Sequence, residues 1–130
     1  MEENRIDHFN NIAKKLFKIL VDEYGYILDE IKINDLNGMK WSTHHIYINS
    51  LKNLKIEIKQ EPYYTDYGFS FFIYKMGTDE YNILCNIAHE KQDKEGNFLL
   101  KAYKDLFSTE ETLDIISGKH WKKLKYIPFN

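Results

Sequence analysis

The stretch Gly68–Met76, GFSFFIYKM, limits the fold more than any other part of the chain. Its aromatic and β-branched residues favour a pleated strand, whose side chains alternate between two faces. Phe69, Phe71 and Ile73 fall on one side, and Ser70, Phe72 and Tyr74 on the other. A strand that can supply apolar groups to both sides is expected near the centre of a sheet, under helices. The remaining sequence must therefore provide flanking strands and a helical cover.

The flanking strands are marked by turns and by a period of two. Asn37-Gly38 is the sharpest local signal, because both residues tolerate the positive φ of a type I′ turn. A two-residue loop there pairs Leu36 with Met39, Asp35 with Lys40, Ile33 with Ser42 and Ile31 with His44, in a hairpin over about Glu30–Asn49. This register places Ile31, Ile33, Ile46 and Ile48 on one face, which is expected to be the apolar one. Lys32, Trp41, Thr43, His45 and Tyr47 then share the other, a polar and aromatic face suited to solvent or a partner.

After a turn through Ser50–Asn53, Leu54, Ile56 and Ile58 alternate with Lys55, Glu57 and Lys59, as in a half-buried antiparallel strand. In QEPYYTDYG, Pro62 interrupts a ladder, and Asp66 and Gly68 suit a turn. Gly77–Glu80 reads as a hairpin connection. Beyond it Tyr81, Ile83, Cys85 and Ile87 alternate with Asn82, Leu84, Asn86 and Ala88.

Helices are expected at both ends. From Asn4 to about Asp22, Ile6, Phe9, Ile12, Ala13, Leu16, Phe17 and Leu20 recur at helical spacing, and Gly25 stands where a C-cap belongs. Glu90–Asn97 reads as a charged surface loop. Phe98, Leu99, Ala102, Tyr103, Leu106 and Phe107 form a second stripe with Asn97 as N-cap. Ser108 and Glu111 have capping-box spacing, Leu113, Ile115 and Ile116 face inward, and Gly118 ends the last helix. Trp121, Leu124 and Tyr126 continue the packing. The expected fold is therefore a single α+β domain over residues 1–130: one N-terminal helix, about five antiparallel strands in a meander that can curl, and two C-terminal helices on the sheet.

Composition narrows function mainly by exclusion. The 130 residues carry a net charge of -2, which gives no general basis for nucleic-acid binding. The run Lys119, His120, Lys122, Lys123 and Lys125 is a local exception, read as a solvated helix face. A single cysteine, Cys85, rules out an intrachain disulfide framework. No apolar run approaches the roughly 20 residues that span a bilayer, and the polar N-terminus lacks a secretory core, so the expected location is cytoplasmic.

No catalytic signature is present. His44 and His45 are adjacent, so on a strand they point to opposite faces and do not share a metal. Cys85 and His89 stand too far apart along a strand for proton transfer. There is no phosphate-binding glycine loop, HExxH helix or GxSxG elbow. No cofactor and no metal site are expected. The aromatic, acidic segment Glu61–Tyr67 is the more suggestive feature. Tyrosines combine large contact area with few rotors and a hydrogen-bonding group. Trp41, His45, Tyr47, Glu61, Tyr63, Tyr64, Asp66 and Tyr67 are the candidate binding residues.

In size, element order and composition the chain resembles the immunity proteins that neutralise bacterial toxins. The likeness rests on no motif and covers no identifiable functional residue. It implies a non-enzymatic domain whose partner is a protein, a toxin encoded nearby. Two other readings remain open: a small enzyme or ligand-binding domain with a Tyr/His-lined pocket between sheet and helices, and a phage or assembly protein working as a homo-oligomer.

Overall fold

The computed structural model describes residues 5–61, 67–93 and 95–122. Helices α1 (Arg5–Leu16) and α2 (Ile19–Tyr24) come first. Strands β1 (Ile27–Leu36), β2 (Met39–Asn49), β3 (Leu54–Gln60), β4 (Tyr67–Lys75) and β5 (Tyr81–Ala88) follow. A 3-10 turn over His89–Lys91 leads to α3 (Asn97–Leu106) and α4 (Glu110–Ile116). The strands form one antiparallel sheet in the order β1-β2-β3-β4-β5, so every neighbour in space is a neighbour in sequence. This is the expected α+β architecture, with the helices packed on one side.

The N-terminal stripe packs as its spacing predicts. Phe9, Ala13, Phe17 and Leu20 are buried, and Gly25 caps α2 in the left-handed region at φ 77. The single helix expected over Asn4–Asp22 is in fact two. Leu20 N–H donates to Phe17 O at 3.0 Å, a short-range bond that tightens the chain between α1 and α2. Phe17, at the break, is fully buried against Phe71, Tyr103 and Phe107.

The sheet's covered face is a row of buried groups from adjacent strands. Tyr47 pairs with Ile56 and His45 with Ile58; Ile56 pairs with Ile73 and Ile58 with Phe71. Each of these six side chains is no more than 1% exposed. Leu99, Ala102, Leu106, Ile115 and Ile116 close over them from α3 and α4. Strand β4 is thus covered on one side only, and β3 holds the centre, which corrects the placing of Gly68–Met76 as the central strand.

The Asn37-Gly38 hairpin forms with φ of 53° and 81°, and Leu36 pairs with Met39 and Asp35 with Lys40 as expected. Beyond that the register slips. Trp41 is an extra residue on β2, so Asn34, not Ile33, stands opposite Ser42. Asn34 Nδ2 donates to Ser42 Oγ at 2.7 Å and pins the shifted pairing. Ile31 and Ile33 therefore pair with His45 and Thr43, whereas Ile46 and Ile48 lie on the opposite face. The four isoleucines do not share a side. The face expected to be wet, with Thr43, His45 and Tyr47, is the buried one.

Strand β5 is interrupted in the same manner. Phe71 pairs with Cys85 and Phe72 with Ile83, leaving Leu84 as the extra residue. The single row Tyr81–Ile83–Cys85–Ile87 is thereby split: Cys85 and Ile87 pack with the core, while Tyr81 and Ile83 sit on the uncovered side. At the start of α3 the cap differs from expectation too. Gly96, at φ 86, occupies the cap position, and the Asp93 carboxylate accepts the N–H groups of Asn97 and Phe98 at 2.9 and 2.8 Å.

Candidate interaction surface

Alternation along β3, β4 and β5 places Lys55, Glu57, Lys59, Phe72, Tyr74, Tyr81 and Ile83 on the side away from the helices. Phe72 and Tyr81 stack with centroids 5.8 Å apart and planes at 8°. Tyr74 joins both rings, at 5.9 Å from Phe72 and 6.0 Å from Tyr81. Lysines of β3 lie over this cluster: Lys55 Nζ is 4.9 Å from the Tyr74 centroid and Lys59 Nζ 4.7 Å from that of Phe72. Such cation–π contacts hold the aliphatic stems against the rings and keep the charges at the surface. Tyr81 is 36% and Ile83 47% exposed.

Ionic groups border the cluster. His44 Nε2 lies 2.9 Å from the Glu61 carboxylate, and its Nδ1 lies 4.0 Å from that of Glu57. Glu57 in turn lies 3.9 Å from Lys59 Nζ. Burial, then the charge of Glu57 and a hydrogen bond to it, holds the Tyr74 phenol above its ordinary value. A phenol that resists ionisation serves as a hydrogen-bonding contact and not as a base. Cys85 is chemically quiet for a related reason: burial, with a smaller push from Asp105, raises its thiol to about 11. Among the described residues no three His, Cys, Asp or Glu side chains are placed to hold a metal ion, and no helix is long and apolar enough to cross a membrane.

The candidate residues named from sequence scatter. His45 is 0% exposed and Tyr47 1%, so both belong to the core and not to a surface. His45 Nε2 donates to Asn10 Oδ1 at 2.6 Å, and Thr43 Oγ donates to the same oxygen at 2.8 Å. Burial, with lesser contributions from Lys14 and His44, lowers the His45 pKa to about 4, so the ring is neutral at pH 7. Trp41 is half-buried at the β2 bulge. Glu61 is half-buried beside His44, outside the aromatic cluster but joined to it through Glu57 and Lys59. Tyr67 begins β4 through backbone pairing with Ala88. Tyr63, Tyr64 and Asp66 lie outside the described residues.

Sequence reasoning missed Phe72, Tyr74, Tyr81 and Ile83 as a group. The alternation of β4 already set Phe72 and Tyr74 apart from Phe69 and Phe71. The Leu84 bulge, which brings Tyr81 and Ile83 to them, has no local sequence mark. No family model, no curated protein and no solved structure matches this chain.

Proposed function

We propose that the chain is a non-enzymatic protein-binding domain and that its uncovered sheet face is the contact surface. The observation that carries this reading is the Phe72–Tyr74–Tyr81 cluster, ringed by Lys55, Lys59 and the exposed Ile83. Contact hot spots combine aromatic area with polar groups at the rim and low ordering cost. These rings are pre-ordered by their mutual stacking, so little rotamer freedom is left to lose on binding. The interior between sheet and helices is filled by Phe17, Phe71, Leu99 and Ile115, each at most 1% exposed, which weighs against a Tyr/His-lined pocket there.

The finer form of the proposal takes the partner to be a bacterial toxin that the chain neutralises. Lys55 and Lys59 are offset by Glu57 and Glu61 on this side, so recognition rests on shape and aromatic contact more than on net charge. The test is affinity capture from the native cell, with the product of the neighbouring gene supplied. Wild-type chain is expected to retain a defined partner that a Tyr81→Ala/Ile83→Ser variant loses while keeping its thermal midpoint. Equal retention by both would reject the surface. Co-expression tests the toxin: protection from growth arrest by wild type but not by the variant is the expected result.

A further inference from the structure

A second feature lies at one end of the sheet, where the β2–β3 turn, the β4–β5 turn and the chain after α4 meet. They enclose an open cleft of about 300 Å³, lined by Lys52, Lys75, Lys119, His120 and Trp121 together with Asn53 and Thr78. No carboxylate is among its described lining residues, and the carboxylate nearest to one of them in an ion pair is that of Glu80, 3.9 Å from Lys75 Nζ. On a chain of net charge -2, three lysines share one hollow, and among the described residues only Lys75 of these is paired with a carboxylate, so the cleft carries a local excess of positive charge.

The walls are held by hydrogen bonds and not only by chance proximity of surface side chains. Asn53, at φ 58, joins the two turns: its Nδ2 donates to Met76 O at 2.9 Å, and Met76 N–H donates to Asn53 O at 2.9 Å. Lys119 and His120 N–H groups both donate to Asp114 O, at 2.8 and 3.2 Å, which turns the basic segment back towards the sheet. Asn82, only 2% exposed, exchanges two hydrogen bonds with the Lys122 backbone, each 3.1 Å, and so fixes the chain just past Trp121. Lys75 Nζ lies 4.9 Å from the Trp121 ring centroid. Residues 119–122 are not helical, so Lys119, His120 and Lys122 do not form the solvated helix face that the sequence suggested; Lys123 and Lys125 lie outside the described residues.

Like charges brought together in a concave site repel unless a counter-charge joins them, and a low-dielectric wall strengthens that preference. A phosphate group meets it best, with several acceptor oxygens for ammonium and backbone donors. The indole supplies a flat apolar surface next to those cations. We propose that this cleft binds a small phosphate ester or diphosphate, its phosphate held by Lys52, Lys75 and Lys119 and an attached ring packed beside Trp121. The volume is at the lower end of the roughly 300–1,000 Å³ usual for small-molecule sites, so the ligand is compact. The site is separate from the sheet face proposed for protein contact, and either can fail without the other.

The test titrates the full chain at low ionic strength with pyrophosphate and, separately, with adenosine diphosphate, followed by calorimetry and by amide NMR shifts. Saturable binding is expected, with shifts confined to residues around Lys52, Thr78 and Lys119. Lys75→Gln and Lys119→Gln should each weaken both ligands about tenfold, the effect of one lost charge-assisted contact. Trp121→Leu should weaken adenosine diphosphate while sparing pyrophosphate, and Lys101→Gln on α3 should change nothing. Absence of saturation, binding unaltered in the lysine variants, or a response to single-stranded RNA alone would overturn the proposal. Were a variant to misfold, the shift map of the wild-type chain decides by itself.

Discussion

The two sides of the sheet are made by the same strands and differ in almost every other respect. On the covered side Ile56, Ile58, Phe69, Phe71 and Ile73 are fully enclosed, and two of its polar members, Thr43 and His45, are tied to α1 by bonds to Asn10. On the uncovered side of β4 and β5 the large groups include rings with lysines laid over them, and Tyr81 and Ile83 reach solvent, while Ile46 of β2 is 7% exposed. Hydrophobicity alone does not separate the two. Thr43 and His45 are inside and Ile83 is outside. What separates them is whether a helix supplies partners: a buried histidine is tolerated because Asn10 Oδ1 accepts its N–H hydrogen bond, and an exposed isoleucine because no helix lies over it.

The comparison predicts unequal responses to substitution, and the largest belongs to the covered side. Phe71→Ala removes a fully enclosed ring that touches Phe17, and should lower unfolding free energy by about 3–5 kcal/mol in a urea titration. A loss below about 1 kcal/mol would mean that the helices do not close over β4.

Acid provides the next largest effect, through His45. Its pKa is lowered in the folded chain from the ordinary 6.5 to about 4, so between those values the unfolded chain binds a proton that the folded chain does not. Stability is then full above about pH 6.5 and falls as pH drops towards 4, by about 3 kcal/mol in all. His45→Gln should flatten this segment of the pH–stability curve, measured by chemical unfolding at a series of pH values. A slope unchanged in the variant would remove His45 from the account.

The uncovered side should respond least. Lys59→Met deletes a cation lying over Phe72 and beside Glu57, and should cost about 0.5–1 kcal/mol, an effect that shrinks as salt is added to the wild-type chain. A loss as large as that for Phe71→Ala would show that the two faces bear equally on stability.

Much of the architecture was legible because the signals were local. The Asn37-Gly38 turn, the alternation of Leu54, Ile56 and Ile58, and the stripe from Phe9 to Leu20 each report a few adjacent residues, and each formed. The errors came where one residue alters parity. Trp41 and Leu84 each occupy an extra position in a ladder, and nothing in their side chains marks them as bulged. The correct buried face of β2 was nevertheless recoverable from the next turn. Pairing Asn49 with Leu54 across Ser50–Asn53 puts Tyr47 beside Ile56 and His45 beside Ile58. Asn10, an amide within an otherwise apolar helical stripe, was the second clue that polar partners lay opposite it.

The candidate site was less readable than the fold. Its residues come from β3, β4 and β5, and their meeting depends on two registers, one of them bulged. Sequence reasoning favoured the Glu61–Tyr67 segment because tyrosines cluster there along the chain, whereas the aromatic cluster of Phe72, Tyr74 and Tyr81 forms across strands. Asp93 was missed as the cap of α3 for a similar reason, since its carboxylate reaches forward past Gly96 and displaces the expected role of Asn97.

Site-specific photo-crosslinking in the native cell tests the central claim most directly, with the reactive group placed at Tyr81 on the uncovered sheet face or at Lys101 on the exposed side of α3. The account predicts one discrete adduct to another protein from position 81 and none from position 101. No adduct from 81, or the same adduct from both positions, would contradict it.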